Sequence, residues 1–302
     1  MSCRVRSASE ASFADAICAF GVFDGVHEGH RFIIRTAIDQ AREAGVRSVI
    51  ITFDKDPTEL FSDAHDKLMG NEERLDALAS LGADEVAVIA FDHVEASLPA
   101  EAFLGDTFGA GAPRAVVVGE GFRFGQGATG AIEDLARWGS RHGMAAWELA
   151  LLELDGAPVT STRIRACLRQ GQVEEAARLL GRPYGLAGTV VSGRQAGREM
   201  GICTANLSVA ADRMVPADGV YAAFARIGDG IHRAAVSIGV PVTFDGVTES
   251  TIEAHILDFD RDIYGEELGL SFVEHLRPMI RFDSTEDLVA QIERDIERAS
   301  SI

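Results

Sequence analysis

The sequence predicts an α/β domain on a parallel sheet over residues 1–184, then a small antiparallel β-barrel with a closing helix over residues 185–302. Three observations predict it. Short apolar runs alternate with helical patterns through the first part, as a parallel sheet covered on both faces requires. From about residue 186 the texture becomes Val-, Ile- and Phe-rich runs interrupted closely by Gly and Asp, which marks antiparallel strands of a barrel or sandwich. The chain then ends in a capped amphipathic pattern.

In chain order, strands are expected at Ile17–Phe23, Ser48–Phe53, Glu85–Phe91, Ala115–Gly119 and Ala146–Leu152. The helical patterns Arg31–Ala44, Asn71–Leu81 and Ile132–His142 lie between them. Each stops at a glycine (Gly45, Gly82, Gly143), the residue that takes a left-handed C-cap without strain. Two shorter helices follow, Thr162–Arg169 before Gly171 and Val173–Leu180 before "GRPY", and the domain boundary falls near Arg182–Leu186. The barrel strands are carried by "LAGTVVSG", "GVYAAFARIG", "RAAVSIGV", "STIEAHILDF" and "ELGLSFVEHL". In the last helix, from about Thr285, Ser284 and Asp287 have N-cap and N3 spacing, and Leu288, Ile292 and Ile296 form a stripe expected to pack on the barrel.

Composition narrows the function. With 47% apolar and 25% charged residues the chain has a globular balance, and no apolar run approaches the ~20 residues of a membrane span. The N-terminus lacks the apolar stretch of a secretory signal. Cys3, Cys18, Cys167 and Cys203 are scattered without metal-ligand spacing, which points to reduced thiols in the cytoplasm and against structural zinc. A formal charge of −19 argues against a nucleic-acid partner, because phosphate backbones are bound largely by Lys and Arg. A small phosphorylated ligand remains compatible, given local help from His, Arg, a helix N-terminus or a metal ion.

The stretch "GVFDGVHEGH", residues 21–30, stands where the first strand of the sheet hands over to a helix, at the end where parallel sheets bind ligands. With the helix starting near Glu28, His27 and His30 share the face of its first turn, beside amides and a dipole end that favour an anion. Gly29 would let a phosphate approach the backbone. Such an array suits attack on a nucleotide α-phosphate, where positioning and electrostatics do the catalysis. The competing reading is a pair of ordinary surface histidines after a "DG" turn.

The stretch resembles the HxGH signature of the nucleotidyltransferases, in the form found in bacterial bifunctional riboflavin kinase/FMN adenylyltransferases (FAD synthetases). "VGEGFRFG" at 118–125 is similar to that family's VGxDFRFG, "TSTRIR" at 160–165 to its SSTRIR, and "GRPYGLAGTVVSG" at 181–193 to its join with the kinase domain. The resemblance implies a Rossmann-like first domain, with His27 and His30 catalytic. It also implies nucleotide contacts at Gly21, Phe23, Asp24 and Gly29, and phosphate contacts at Ser161, Thr162 and Arg163. Taken alone, that second segment has a competing, less favoured reading as an N-cap with a solvated basic turn.

"GREMGICTANL", 197–207, resembles the kinase domain's GRxLGxPTANL. It implies nucleotide contacts at Gly193, Gly197 and Gly201 and Mg²⁺ held by Thr204 and Asn206, whose oxygens are suitable hard ligands. "STIEAHILDFDRDIYGEEL" resembles the following strand pair and assigns the catalytic base to Glu253. Without the resemblance these are a polar loop and an outward Glu on an alternating strand. The implied reactions are ATP-dependent, Mg²⁺-assisted phosphorylation of riboflavin to FMN and adenylylation of FMN to FAD.

Departures from the pattern keep two alternatives in view: a flavin kinase with a degenerate or altered first domain, and a non-catalytic flavin- or nucleotide-binding regulator. The family's TFxPHP reads "TFDKDP", with Lys55 for Pro and Asp56 for His, which would add a carboxylate beside anionic substrates. Gly121 replaces an Asp or Asn, Cys203 replaces the Pro of PTAN, and Pro241 is displaced by one place.

Overall fold

The computed structural model describes residues 3–61, 66–109, 111–193, 203–240 and 250–302. Pro241 lies outside them. The chain forms two compact units, which divide between Ser161 and Thr162.

The first unit holds six parallel strands, β1 (Arg4–Ser7), β2 (Ala16–Phe20), β3 (Arg47–Phe53), β4 (Glu85–Ile89), β5 (Ala115–Gly119) and β6 (Ala145–Leu149), in the order β1-β4-β3-β2-β5-β6. A two-stranded hairpin, β7 (Glu153–Leu154) and β8 (Ala157–Pro158), precedes the division. Five helices connect the strands: α1 (Glu28–Ala44), α2 (Asn71–Ala79), α3 (His93–Ser97), α4 (Ala100–Phe108) and α5 (Ile132–His142).

The alternation of side chains along β2 explains why both faces are covered. Cys18 and Phe20 join one apolar cluster with Phe103 and Phe108 of α4 and Leu135 and Trp138 of α5. Ile17 and Ala19 join the other with Ile33, Ile34, Ala37, Ile38 and Ala41 of α1. A strand buried on both faces reads as an unbroken apolar run, and AICAF does. The chain leaves β2 towards β3 on one side and reaches β5 on the other. The carboxyl end of β2 is therefore the topological switch point, where open α/β sheets form their ligand crevice.

Several expectations need correction here; the strands expected at Glu85–Phe91 and Ala146–Leu152 end at Ile89 and Leu149, and the helix expected to Leu81 ends at Ala79. The first predicted strand ends at Phe20 rather than Phe23. Phe23 has φ +59° and belongs to the turn, so apolar character continued past the point where hydrogen bonding stopped. The edge strand β1 was not expected, because RVRS has no apolar run; its Arg6 pairs with buried Glu85 of β4 at 3.3 Å.

The second unit begins with α6 (Ser161–Arg169, entered at the division) and α7 (Val173–Leu180), followed by a closed antiparallel barrel. Its strands are β9 (Tyr184–Val191), β10 (Ala205–Ser208), β11 (Gly219–Ile227), β12 (Gly230–Gly239), β13 (Thr251–Ile256) and β14 (Glu267–Arg277), closed as β10-β13-β12-β11-β14-β9. The change of texture near residue 185 marks where the strands begin. Tyr184, Tyr221 and Phe272 fill the interior, with Tyr221 edge-on to Phe272 at 5.4 Å.

β11 is buried on both faces over its first half because α8 (Thr285–Ala299) covers its outer side. Val220, Ala222, Ala235, Leu276 and Ala299 form that seam, with Ile296 packed against it. Ser284 caps α8 by accepting from the Asp287 amide, as its spacing predicts. Of the expected stripe, Leu288 and Ile292 stay half-buried; the helix is held instead by Ala299 in the seam and by the ion pair of buried Asp295 with Arg277 at 2.8 Å.

Candidate functional site

The site in the first unit is built on the turn from β2 to α1. Gly21 still donates its amide to the Ile51 carbonyl, and a Cβ there would stand 2.9 Å from the Phe23 ring. The turn then passes through three positive φ values, at Phe23 (+59°), Gly25 (+79°) and Val26 (+41°). His27 adopts extended backbone and caps α1, its Nδ1 accepting from the His30 amide at 3.2 Å.

That cap brings the two imidazoles together: their rings stack at 3.5 Å between centroids and 20° between planes, and Phe23 meets His30 edge-on at 5.3 Å. His27 is 4% exposed. The same bond fixes a proton. An Nδ1 that accepts carries no hydrogen, so a neutral His27 holds its proton on Nε2 and donates from there. His30 is pushed well below the ordinary imidazole pKa by burial first, then by its electrostatic interactions with the His27 ring and the Arg74 guanidinium. Its Nδ1 is buried and meets no hydrogen-bond partner among the described residues. The pair therefore presents neutral N–H donors at a helix N-terminus, rather than two cations.

The remaining predicted residues of this site divide into those at the turn and those that support it. Ser161 comes to the turn, its hydroxyl donating to the Asp24 carbonyl at 3.1 Å. Thr162 follows it in α6, and Arg163 pairs with Glu175 of α7 at 2.9 Å. Asp24 is buried, and its carboxylate accepts the amides of Leu68 and Met69 at 3.1–3.3 Å, so it ties the turn to the segment ahead of α2. Gly29 is bare for packing: a Cβ there would stand 2.8 Å from the Val159 carbonyl oxygen and 3.1 Å from the His27 ring.

The departures from the family pattern have local explanations. Asp56 is the cap of a short 3-10 turn over Pro57–Leu60, accepting from Thr58, while the Glu59 carboxylate accepts the Asp56 amide. Its carboxylate is thus occupied as a turn cap. Gly121 has φ +78°, a left-handed conformation that glycine adopts without strain and that Asn and Asp tolerate better than other side chains.

Sequence reasoning missed Arg74. It is 2% exposed and reaches the carboxyl ends of β2 and β3 from α2. The signal was available: Arg74 and Leu78 are four apart on the buried stripe of α2, and a cation on such a stripe demands partners.

In the second unit, β10 and β13 pair so that Asn206 faces Glu253. Thr204 Oγ1 lies 3.4 Å and Thr251 Oγ1 3.5 Å from the Glu253 carboxylate. Gly193 lies against the Asn206 side chain, where a Cβ would fall 2.1 Å from Nδ2. Gly197 and Gly201 lie outside the described residues. The Cys203 carbonyl accepts from or is held by His255 Nδ1 at 2.8 Å, which ties the segment before Thr204 to β13 in place of a proline. A cavity of about 280 Å³ opens beside Thr204, lined by Val190, Ala205, Ala254, Ile256 and Tyr264 among others. It is the size of a planar heterocycle with an apolar wall. Thr204, Asn206 and Glu253 offer hydroxyl, amide and carboxylate oxygens, the hard donors that Mg²⁺ takes. Among the described residues no group of three or more His, Cys, Asp or Glu gathers to hold a metal.

Comparison with known proteins adds to this geometry. Residues 9–163 match the family model for FAD synthetase, and residues 180–302 match that for riboflavin kinase. The bifunctional riboflavin kinase/FMN adenylyltransferase of Listeria monocytogenes is 34% identical, over 92% of this chain and 90% of its own. That of Escherichia coli K12 is 31% identical, over 96% and 94%. A crystal structure described as a macrolide-efflux protein of Streptococcus pneumoniae matches with TM-score 0.85 and 31% identity over all of both chains. That description names an activity different from the other two relatives. It belongs to that protein, and no helix among the described residues of this chain is long and apolar enough to cross a membrane.

Proposed function

As a member of the bifunctional riboflavin kinase/FMN adenylyltransferase family, the chain converts riboflavin to FMN and FMN to FAD, and we propose that its two sites divide these steps. The HxGH turn is the adenylyltransferase site and the β10–β13 site is the kinase. The observation that carries the reading is the stacked His27–His30 pair, set at the switch point of the sheet with Ser161 bonded to the same turn.

In adenylyl transfer an oxygen of the FMN phosphate attacks the α-phosphorus of ATP, and pyrophosphate leaves. No protein nucleophile is needed, since orientation and charge stabilisation lower the barrier. His27, through Nε2–H, and His30 donate to the phosphoryl oxygens as charge builds on them, with the amides of the first turn of α1 beside them. Ser161, Thr162 and Arg163 hold the phosphates that depart.

In the kinase step Glu253 takes the proton of the riboflavin terminal hydroxyl as that oxygen attacks the γ-phosphorus and ADP leaves. Thr204 and Asn206 would hold Mg²⁺, which would supply charge to offset the ATP phosphates on a chain of net charge −19. The cavity beside Thr204 takes a heterocyclic ring. Four unpaired cysteines suit a cytoplasmic enzyme.

Purified protein supplied with riboflavin, ATP and Mg²⁺ is expected to yield FMN and then FAD on chromatography. His27→Ala should stop FAD formation while FMN accumulates. Glu253→Gln should stop FMN formation yet still convert supplied FMN to FAD. Equal loss of both products from either substitution contradicts the division.

A further inference from the structure

The turn that carries the two histidines is held from outside itself. Phe23 and Val26 have φ of +59° and +41°, values that a β-branched residue resists most. Backbone of this kind persists only where its surroundings over-determine it. Here the surroundings come from α2. The Arg74 guanidinium donates to the Val22 carbonyl at 2.8 Å, to Thr52 Oγ1 at 2.7 Å and to the Phe53 carbonyl at 2.7 Å. The Thr52 hydroxyl donates to the same Val22 carbonyl at 3.1 Å. On the far side of Phe23, Asp24 accepts the amides of Leu68 and Met69, just ahead of the same helix.

From these contacts the structure assigns Arg74 a part in adenylyl transfer: it is the positioning residue that holds the Val22–Val26 turn, and through it the His27–His30 pair, against the carboxyl ends of β2 and β3. The assignment rests on the reading that these histidines serve that step. A residue that merely filled space at 2% exposure would be apolar. Three acceptors in different directions call for the planar fork of a guanidinium, which a lysine ammonium does not reproduce.

Charge gives a second consequence. His30 is faced by His27 from its own helix and by Arg74 from α2. Arg74 is faced in turn by Asp24 from the turn and by Asp54, Asp56 and Glu59 from the segment after β3. The guanidinium thus helps keep His30 an uncharged donor in the empty site.

The test compares Arg74→Met, Arg74→Lys and His30→Ala in the full chain, measuring FAD formation against pH, KM for FMN and FMN formation by the kinase. Both tryptophans, Trp138 and Trp147, lie in the first unit, so their fluorescence reports whether that unit is folded. Arg74→Met should lower kcat for FAD formation on the order of 100-fold, as displacement of reacting groups by about an ångström does. KM for FMN and FMN formation should hold, and the acidic limb of the pH profile should move up. Arg74→Lys should lose kcat too but leave that limb in place, since it keeps the charge and loses the fork. Wild-type kcat in Arg74→Met with His30→Ala inactive would overturn the positioning role alone. An active His30→Ala would overturn the reading beneath it and this role together. Loss of native tryptophan fluorescence in both Arg74 variants would assign the residue to stability and overturn the role as well.

Discussion

Gly29→Ala tests the active-site turn with one methyl group. In the interior of a helix alanine is favoured over glycine by about 1 kcal/mol, so propensity alone predicts a more stable protein. The surroundings reverse the sign. The new Cβ would stand 2.8 Å from the Val159 carbonyl oxygen and 3.1 Å from His27 Cε1 and Nδ1, whereas ordinary contact begins near 3.4 Å. The carbonyl must therefore withdraw by 0.6 Å, the difference between 3.4 and 2.8 Å, and the ring by 0.3 Å, the difference between 3.4 and 3.1 Å. Val159 is two residues ahead of Ser161, whose hydroxyl holds the Asp24 carbonyl, so both the histidine and the phosphate segment are pushed from one point. A misplacement of about 1 Å costs on the order of 100-fold in rate, and about half of it corresponds to roughly tenfold, or about 1.4 kcal/mol in the barrier. FAD formation from supplied FMN should fall by about that factor while FMN formation is unchanged and tryptophan fluorescence stays native. FAD formation at the wild-type rate would show that the packing of Gly29 against Val159 and His27 does not set the catalytic geometry.

Two further outcomes follow from charge. Because the folded-state pKa of His30 is lowered, its ring is neutral in both folded and unfolded chains well above about pH 6.5 and its contribution to stability is intact there. As pH falls through that value the unfolded chain takes the proton first, so stability drops until the folded ring also titrates. Denaturant midpoints followed by tryptophan fluorescence should fall between pH 7 and 5, and His30→Gln should flatten that fall; identical slopes would contradict the burial of His30. At the barrel, Asp295→Ala removes the buried carboxylate that pairs with the half-buried Arg277 guanidinium and accepts from the Gln291 amide. Calorimetric unfolding of the second unit should lose about 3 kcal/mol, and a loss under about 1 kcal/mol would place the pair among ordinary surface contacts.

Much of this was legible along the chain. Ala115–Gly119, Ile132–His142 and Val173–Leu180 coincide with their predicted bounds, because local apolar period and a terminal glycine mark such elements without help from the rest of the fold. The helix after β4, α4, escaped notice: its apolar residues face a sheet that periodicity does not reveal. The role of Gly29 also lay beyond the motif, since the atom that requires a bare position belongs to Val159, a long way on in sequence.

By itself the amino-acid order determined the sheet, the barrel, the family and the residue types that face phosphate, since period, caps and short motifs are properties of neighbours. Only the tertiary structure decided the electrical state of the site and what holds it. Two imidazoles whose charge was left open by spacing become neutral donors because the cap bond occupies one nitrogen of His27 while burial, with His27 and Arg74 nearby, disfavours a proton on His30. That outcome depends on groups brought together from β2, β3, α1 and α2, and separations of that kind are set by packing, not by spacing along the chain.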